Sequence, residues 1–515
     1  MVTLTPQFTR GCGRSMKEKI QTVLLINAGN DDTQPNVTNY AIFPPLNILS
    51  IASTVKKQFR EMDVRIYDGQ LLSVEKINAW ISSLLPDVVG ISVLSGSYKN
   101  AIMHAKAAKK AGAITILGND HAAVYRDEIL RRFGALNGSE GKYVDYICTA
   151  DVGEMVFCNF LRILDENREK SDLPKLIFSE QVYQTRGIVH ENGLAKSGKY
   201  LLDQIPLADW ELIRPELWKY KERFHSIYDG VLDIPKDSLA VTINRARGCK
   251  RFRDPCLYCG IMDLKPRFSS PTVFWREVRE AKKKVGANIF YEALDSMSSF
   301  PWWADELVRY KPKDIEDIMF FVYSDALGVN ENLCLRYEKL GVILVNMGLD
   351  SGDDRMLRRL KSNYDSVEAN RNAARLLQRH KIGIYASFVL GAPGETKESL
   401  QKTVDFASEL MENRQLAAIE AQPLYPLKNA RAGRWLMNPE TARSDAKMMG
   451  FQIRRPQKLK EMPEKWGNSD SPDPHEISKD WVEIFCHVTY EDLQQAASQI
   501  KQDALGNNVH FGSAW

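Results

Sequence analysis

The stretch Arg247-Gly248-Cys249-Lys250-Arg251-Phe252-Arg253-Asp254-Pro255-Cys256-Leu257-Tyr258-Cys259 decides what this chain is built to hold. Its cysteines follow the spacing C-x6-C-x2-C, which brings three thiols within reach of one metal centre. Zinc competes for such a set, but structural zinc sites normally take four ligands, and no second CxxC or HxxxH pair lies near. An iron–sulfur cube tolerates the missing ligand: three cysteines hold three irons, and the fourth iron stays open to a substrate or cosubstrate. The other cysteines (Cys12, Cys148, Cys158, Cys334 and Cys486) are scattered without partners at ligand spacing, and eight in 515 residues are too few for a disulfide scaffold.

The chain around this stretch has the composition of an ordinary globular protein. At roughly 150 residues per domain, 515 residues suggest about three units. With 44% hydrophobic and 26% charged residues, collagenous, low-complexity and wholly disordered classes are excluded. The net charge of +3 has no dominant basic block, which argues against a long track for nucleic acid. The longest apolar runs, such as Gly341 to Leu349, fall short of the roughly 20 residues a bilayer span needs, and the first residues lack a signal-peptide apolar core. A cytoplasmic protein without membrane contact is expected.

Upstream of the cysteines, short apolar runs alternate with helical patterns. Strands are expected at Thr22 to Asn27, Val64 to Tyr67, Val88 to Val93, Ile114 to Leu117 and Tyr143 to Cys148. Helices are expected from Pro45, from Tyr98 to Ala111 and from Ala122 to Arg132. This alternation implies an α/β, doubly wound parallel sheet of about 150 residues. Ligands of such sheets sit beyond the strand carboxyl ends, here Ser95-Gly96-Ser97-Tyr98, Gly118-Asn119-Asp120-His121 and Asp151-Val152-Gly153-Glu154.

From Leu239 the alternation resumes, with strands expected at Leu239 to Ile243, Asn288 to Tyr291, Met319 to Val322, Val342 to Gly348, Ile384 to Leu390 and Ala417 to Ala421. Six strand–helix repeats read as a parallel barrel or partial barrel with its chemistry at the strand carboxyl ends, where the cysteine loop falls. The units expected are a leader at 1–20, the first sheet at 21–170, a connector at 171–235, the barrel at 236–437 and a small, mostly helical cap at 438–515. Within that cap, Thr489 and Asp492 have capping-box spacing. Trp302, Trp303, Tyr425 and Arg434 are weaker candidates for a pocket wall, since tryptophans in a large chain more often serve packing.

On these residues the chain resembles the cobalamin-binding branch of the radical S-adenosylmethionine (SAM) enzymes, over roughly residues 20 to 430. In the catalytic half the resemblance rests on Arg247-Gly248-Cys249, Tyr258, Gly348-Leu349-Asp350-Ser351-Gly352 and Phe388-Val389-Leu390-Gly391-Ala392-Pro393-Gly394-Glu395-Thr396. In the amino-terminal half it rests on Pro44-Pro45-Leu46, Pro86-Asp87-Val88-Val89-Gly90-Ile91-Ser92 and Gly118-Asn119-Asp120-His121-Ala122. Three departures stand out. The gap between the first two cysteines is six residues where the family usually has three, Asn119 replaces a glycine, and Asp350 replaces a commonly glutamate acid.

The resemblance implies a flavodoxin/Rossmann-like cobalamin domain followed by a partial (β/α)6 radical SAM barrel. Cys249, Cys256 and Cys259 would ligate a [4Fe–4S] cluster, and Tyr258, Asp295, Ser324, Asp350 and Gly391 would receive SAM. Ser95, Ser97, Tyr98, Gly118, Asn119, His121, Gly153 and Glu154 would border cobalamin. No Asp-x-His-x-x-Gly motif supplies a histidine below cobalt; Asp473-Pro474-His475 mimics only its first half and is expected in a carboxy-terminal loop. The implied activity is methyl transfer from methylcobalamin to an unactivated centre after hydrogen abstraction by a 5′-deoxyadenosyl radical. Ring contraction or cyclisation without methyl transfer is an alternative, and so is a non-catalytic cobalamin or iron–sulfur sensor. Methylthiotransfer is disfavoured, because residues 1–150 contain only Cys12 and Cys148 and cannot supply a second three-cysteine cluster. The implied partners are a small-molecule or peptide substrate and an external flavodoxin- or ferredoxin-like electron donor, in a buried chamber shared by the two domains.

Overall fold

The computed structural model describes residues 20–30, 42–134, 141–149, 152–167, 188–190, 193–194, 201–261, 265–412, 414 and 416–512. The expected leader and Cys12 lie outside them. Strands β1 (Thr22–Asn27), β2 (Asp63–Asp68), β3 (Val88–Ser92), β4 (Ile114–Gly118) and β5 (Tyr146–Cys148) pair in parallel in the order β2-β1-β3-β4-β5. That is the flavodoxin-like doubly wound order, with its topological switch between β1 and β3. β3 is buried at every residue, as a central parallel strand with covered faces must be.

Two features differ from the sequence expectation. The helix expected from Ala122 to Arg132 is two helices, Asp120–Val124 and Arg126–Phe133, divided at Tyr125. Asp127 and Glu128 in the first turn of the second favour a fresh amino terminus there, because carboxylates offset the exposed N–H groups of a helix start. Part of the expected connector also joins the first sheet: β6 (Ile188–His190) and β7 (Gly193–Leu194) extend its β5 edge with antiparallel pairing.

The second sheet holds β8 (Ala240–Ile243), β11 (Ile289–Glu292), β12 (Met319–Tyr323), β13 (Val342–Asp350), β14 (Gly383–Leu390) and β15 (Ala418–Pro423), neighbours in chain order and all parallel. A short strand near the carboxyl end, β16 (His510–Phe511), pairs with β15 and covers the last edge. Between β8 and β11 a two-stranded antiparallel ribbon, β9 (Ala246–Arg247) with β10 (Arg267–Phe268), joins the two ends of the cysteine segment. Ile289, Phe321, Leu344, Tyr385 and Ala418 form an apolar layer on the concave face of this partial barrel. Phe224 and Tyr228 of helix Leu217–Tyr228 and Ile42 and Phe43 of the first domain close over it.

Helices between Arg431 and Gly506 form the cap, which shares one hydrophobic core with the barrel's outer face. Trp481 stacks on Trp435 at 5.9 Å and donates its indole N–H to the Gly391 carbonyl at 2.9 Å. The capping box of Thr489 and Asp492 forms as expected. Asp473 is the N-cap of helix Pro474–Phe485, so the Asp-Pro-His sequence opens a helix rather than lying in a loop. Among the described residues, no helix is long and apolar enough to cross a membrane.

At the mouth of the barrel, Arg245 is buried with Glu277 as its ion-pair partner and donates to the carbonyls of Leu202, Ile205 and Pro206. These bonds fasten the inter-domain passage to β8. Glu277→Leu is expected to cost about 3 kcal/mol in denaturant unfolding, the low end for breaking a buried pair because three carbonyls still hold the guanidinium. Changing both residues to apolar ones of similar volume is expected to recover most of that loss.

Candidate active site

The carboxyl ends of both parallel sheets face one cavity of about 880 Å³. Leu25, Ile48, Ile91, Leu117 and Phe157 give it an apolar wall on the first domain, while Thr242, Asn244, Arg247, Tyr291 and Asp295 line it on the barrel. Parallel strands place all their carboxyl-end loops on one edge, so two such edges meeting make a chamber of this kind. Arg247 spans the junction, its guanidinium 3.3 Å from the Glu154 carboxylate, which also accepts from Ser50 at 2.9 Å.

The cysteine loop sits at the barrel end of the cavity. Arg247 and Ile261, on either side of it, line the wall, and Asp295 accepts from the Gly248 N–H at 2.9 Å. Leu257 N–H donates to the Leu360 carbonyl at 2.8 Å, and Ala432 N–H donates to the Leu257 carbonyl at 2.9 Å. Arg251, inside the lengthened gap, is held by Asp325 at 2.9 Å and Asp365 at 2.8 Å. Cys249, Cys256 and Cys259 are half-buried and unbridged. They lie close enough to feel one another: Cys249 and Cys256 each interact electrostatically with Cys259 or are felt by it. Among the described residues, no three His, Cys, Asp or Glu side chains converge tightly enough to clamp a single ion. Three spaced thiols fit a polynuclear cluster better than a zinc ion. Burial pushes the Cys256 thiol up to about 12, against the pull of Lys361 and Arg251.

The residues expected to face SAM occupy distinct positions. Asp295 is in the cavity wall. Asp350 ends β13 after a bulge, in the left-handed region at φ 59°, and accepts from Tyr258 at 2.8 Å while pairing with Lys361 at 2.8 Å. Tyr258 thus fixes a carboxylate at the end of β13. Ser324 is buried just past β12, bonded to Tyr337 at 2.6 Å. Gly391 takes φ 93°, which its lack of a side chain allows, and lies under the cap's Trp481 and Cys486, outside the cavity lining.

On the first domain, Gly118, Asn119, Gly153 and Glu154 line the cavity. Asn119, at the position where the family has glycine, takes φ 77° and ψ 177°, a backbone region that is essentially glycine's, so a residue with a side chain holds strained backbone here. Ser95, Ser97, Tyr98 and His121 are not in the lining, which corrects their expected place. Tyr98 donates to the Asp470 carboxylate at 2.7 Å, and Ser97 closes its own turn onto Leu94. His121 Nε2 donates to the Asp470 carbonyl at 3.0 Å, and Ser95 meets Nδ1 at 3.1 Å. Burial lowers the His121 pKa to about 4, so the ring is a neutral joint between domain and cap. Trp303 is core, Trp302 is on the surface, and neither they nor Tyr425 and Arg434 line the cavity. Sequence reasoning missed Asn47 and Ser92, whose side chains bond at 2.7 Å in the cavity wall, and Asn244, whose buried Oδ1 has no partner among the described residues. Asn244's place five residues before the first cysteine, at a strand end, was the available signal.

Residues 243–407, the heart of the barrel, match the radical SAM superfamily. The match covers the barrel segment, and the two-sheet fold as a whole is shared with solved cobalamin-dependent radical SAM proteins. It is 25% identical over 359 residues to the anaerobic magnesium-protoporphyrin IX monomethyl ester cyclase of Rubrivivax gelatinosus, covering 66% of this chain and 57% of that protein. The chain therefore spans little more than half of the cyclase. It is 24% identical over 417 residues to an uncharacterized methyltransferase of Pyrococcus horikoshii, covering 76% of this chain and 79% of that protein. Among solved structures it shares its fold with the radical SAM methyltransferase TsrM from Kitasatospora setae, solved with cobalamin and a [4Fe–4S] cluster bound (TM-score 0.56, 14% identity, 81% of this chain and 78% of TsrM). It also shares it with OxsB, a cobalamin-dependent SAM radical enzyme solved with aqua-cobalamin and SAM bound (TM-score 0.61, 16% identity, 93% of this chain and 66% of OxsB).

Glu395 secures the turn after β14: its carboxylate accepts from the Gly391 and Ala392 N–H groups at 2.6 and 3.1 Å and from Ser399 at 3.3 Å. Burial nevertheless pushes it up to about 7. An acid whose folded pKa exceeds its unfolded value binds more protons when folded, so its contribution is whole below the unfolded value and is lost as pH rises through the folded one. Glu395→Gln is expected to flatten the fall in stability between pH 4.5 and about 7, checked by denaturant unfolding across that window. An unchanged slope contradicts this assignment.

Proposed function

We propose that the chain is a cobalamin-dependent radical SAM methyltransferase acting on an unactivated centre of a small molecule or peptide. The observation that carries this reading is the single cavity of about 880 Å³ between the carboxyl ends of the two sheets, with the cysteine loop at one end. Its volume lies in the upper part of the roughly 300–1,000 Å³ range of ligand pockets. The apolar first-domain wall suits a corrin face, Gly118 and Gly153 allow close approach, and Asn119 and Glu154 offer polar contacts at its rim. No histidine stands among the described residues lining the cavity.

In this reading Cys249, Cys256 and Cys259 hold a [4Fe–4S] cluster, and Asp295, in the cavity wall beside the cysteine loop, stands on the SAM side. When bound, these groups supply a carbon-centred radical oxidant and a transferable methyl group. The chain's own part is placement: Asp295 fixes the Gly248 backbone, Tyr258 and Lys361 hold the Asp350 carboxylate, and the Arg247–Glu154 pair keeps the two walls together. Enclosure between two domains also limits water around a reactive radical.

Similarity to the cyclase supports a second reading, cyclisation or rearrangement without methyl transfer. Anaerobically reconstituted protein, supplied with SAM, cobalamin and a reductant, separates the two. Methyl transfer is expected to release both S-adenosylhomocysteine and 5′-deoxyadenosine and to add one methylene to the product. Deoxyadenosine alone with no methylated product favours the second reading, and neither product with any candidate substrate favours a sensor. Gly118→Leu, which projects into the cavity from a position with Cys148 Cβ at 3.8 Å, is expected to weaken corrinoid binding by about a hundredfold in absorbance titration, with iron content unchanged. Triple alanine replacement of Cys249, Cys256 and Cys259 is expected to abolish bound iron and deoxyadenosine formation, leaving corrinoid binding in place.

A further inference from the structure

The apolar layer of Ile289, Phe321, Leu344, Tyr385 and Ala418 fills the depth of the barrel's concave face. Side chains along a strand alternate between faces, so two residues further on the same face carries Tyr291, Tyr323, Asn346, Ser387 and Glu420. An apolar layer is followed, toward the strand carboxyl ends, by a polar one. Tyr291 lines the cavity and hydrogen-bonds to Tyr323, their ring centroids 5.7 Å apart, and Tyr323 in turn feels the charge of Glu420. Tyr323, Ser387 and Glu420 are each only half-buried, so this layer stays within reach of a ligand beyond the cavity lining.

Glu420 supplies the acid of the layer. Its Oε1 accepts from the Ser387 hydroxyl at 2.8 Å. Its Oε2 lies 3.0 Å from the Tyr385 hydroxyl, which is 2.7 Å from the Gly512 carbonyl and has one proton for both acceptors. Among the described residues no cation acts on Glu420: burial raises its pKa, and the Ser387 and Tyr385 hydrogen bonds are what pull it back. A carboxylate withdrawn from water and held by neutral hydroxyls lacks the countercharge that buried ions require. The cavity lining points the same way. Its two arginines are matched within the structure, Arg245 by Glu277 and Arg247 by Glu154, and its other charged residues, Asp120 and Asp295, are acids. Among the described residues the lining therefore holds no surplus cation for an anionic ligand.

We propose that Glu420 anchors a cationic nitrogen of the substrate, so that the chamber accepts a small molecule or peptide carrying a primary ammonium group on an apolar or aromatic body. The inference rests on the reading of the chamber as the place where substrate is held. The N–H donors of an ammonium group take the open acceptor positions of the carboxylate, and the electron-rich rings of Tyr291 and Tyr323 nearby favour a cation. Phe43, whose ring lies 5.3 Å from that of Tyr291 in the cavity wall, receives the body of the molecule. SAM also carries an ammonium group, but Glu420 is on β15, toward the opposite edge of the sheet from β8 and the cysteine loop, whereas Asp295 stands beside that loop. No bond is made or broken at Glu420; a fixed ammonium group sets which carbon of the substrate meets the reacting groups.

The test is isothermal titration calorimetry of the reconstituted full chain with phenylalkyl amines, phenylalkyl alcohols and phenylalkanoic acids of matched length. The best amine is expected to bind about tenfold tighter than its alcohol, and the acid weakest. Glu420→Gln, which keeps the side chain's size, is expected to erase the amine preference while alcohol affinity, SAM affinity, iron content and corrinoid content stay as in the parent protein. Gln422→Lys, at an exposed position two residues along the same strand face, serves where Glu420→Gln does not fold. Its added cation is expected to weaken amine binding about fivefold and to leave the alcohol unchanged. Equal amine and alcohol affinities in the parent protein, including binding of neither at millimolar concentration, overturn the anchor. So do an amine preference that survives Glu420→Gln and a loss of SAM affinity in place of amine affinity. An intact amine preference without methylated product in turnover refutes the methyltransferase reading and leaves the anchor standing, which separates the two failures.

Discussion

A parallel sheet offers chemistry at one edge only, and this chain uses two such sheets whose carboxyl edges must face each other. The Arg247–Glu154 contact is where that requirement becomes a specific interaction. Arg247 lies in the ribbon strand β9, two residues before Cys249, and Glu154 opens the helix that follows β5. One end of the pair is therefore fixed to the cysteine loop and the other to the first domain's ligand edge. A shift between the domains would separate the charges in a partly dry chamber, where an unpaired ion is costly. The cavity's depth and the position of the thiols follow from the same constraint.

Near the thiols, charge is organised in the opposite way, by internal compensation. Arg251 neutralises Asp325 and Asp365, and Lys361 neutralises Asp350 while bonding the Gly348 carbonyl at 2.5 Å. These buried pairs stand around Cys256, where Lys361 and Arg251 both act on the thiol. A shorter acid than the usual glutamate at Asp350 is consistent with this packing. The bulge before Asp350 and its left-handed backbone swing the carboxylate to where Tyr258 and Lys361 close on it. Side-chain length is exchanged for backbone geometry, a solution that an overlay of motifs alone does not reveal.

Strand periodicity made both sheets readable from the chain. Thr22–Asn27 has the expected limits, and the six barrel strands fall within about two residues of them, because buried parallel strands are continuous apolar runs that admit few other readings. The ribbon of β9 with β10 and the β6–β7 hairpin were not readable: strands of two or three residues carry no period, and pairing rather than pattern creates them. The cavity wall was legible at Gly118, Asn119, Gly153 and Glu154 through the rule for strand carboxyl ends. That rule names whole loops, however, and cannot tell which residues of a loop turn toward the ligand edge.

Ser95, Tyr98 and His121 illustrate that limit, since another part of the chain has taken them. Asp470 brings its carboxylate to Tyr98 and Arg132 and its carbonyl to His121, across more than three hundred residues. Rings of Tyr98, His121 and Tyr125 stand 4.6 Å apart along this seam. Because burial keeps the imidazole neutral, His121 acts at this seam as a fixed hydrogen-bond donor and not as a switch near neutral pH. The cap thereby contacts both walls of the chamber at once: Trp481 and Cys486 hold the turn at Gly391, and Asp470 holds the loops after β3 and β4. A segment that grips both walls sets their separation, so the carboxy-terminal helices belong to the geometry of the site although none of their residues lines the cavity.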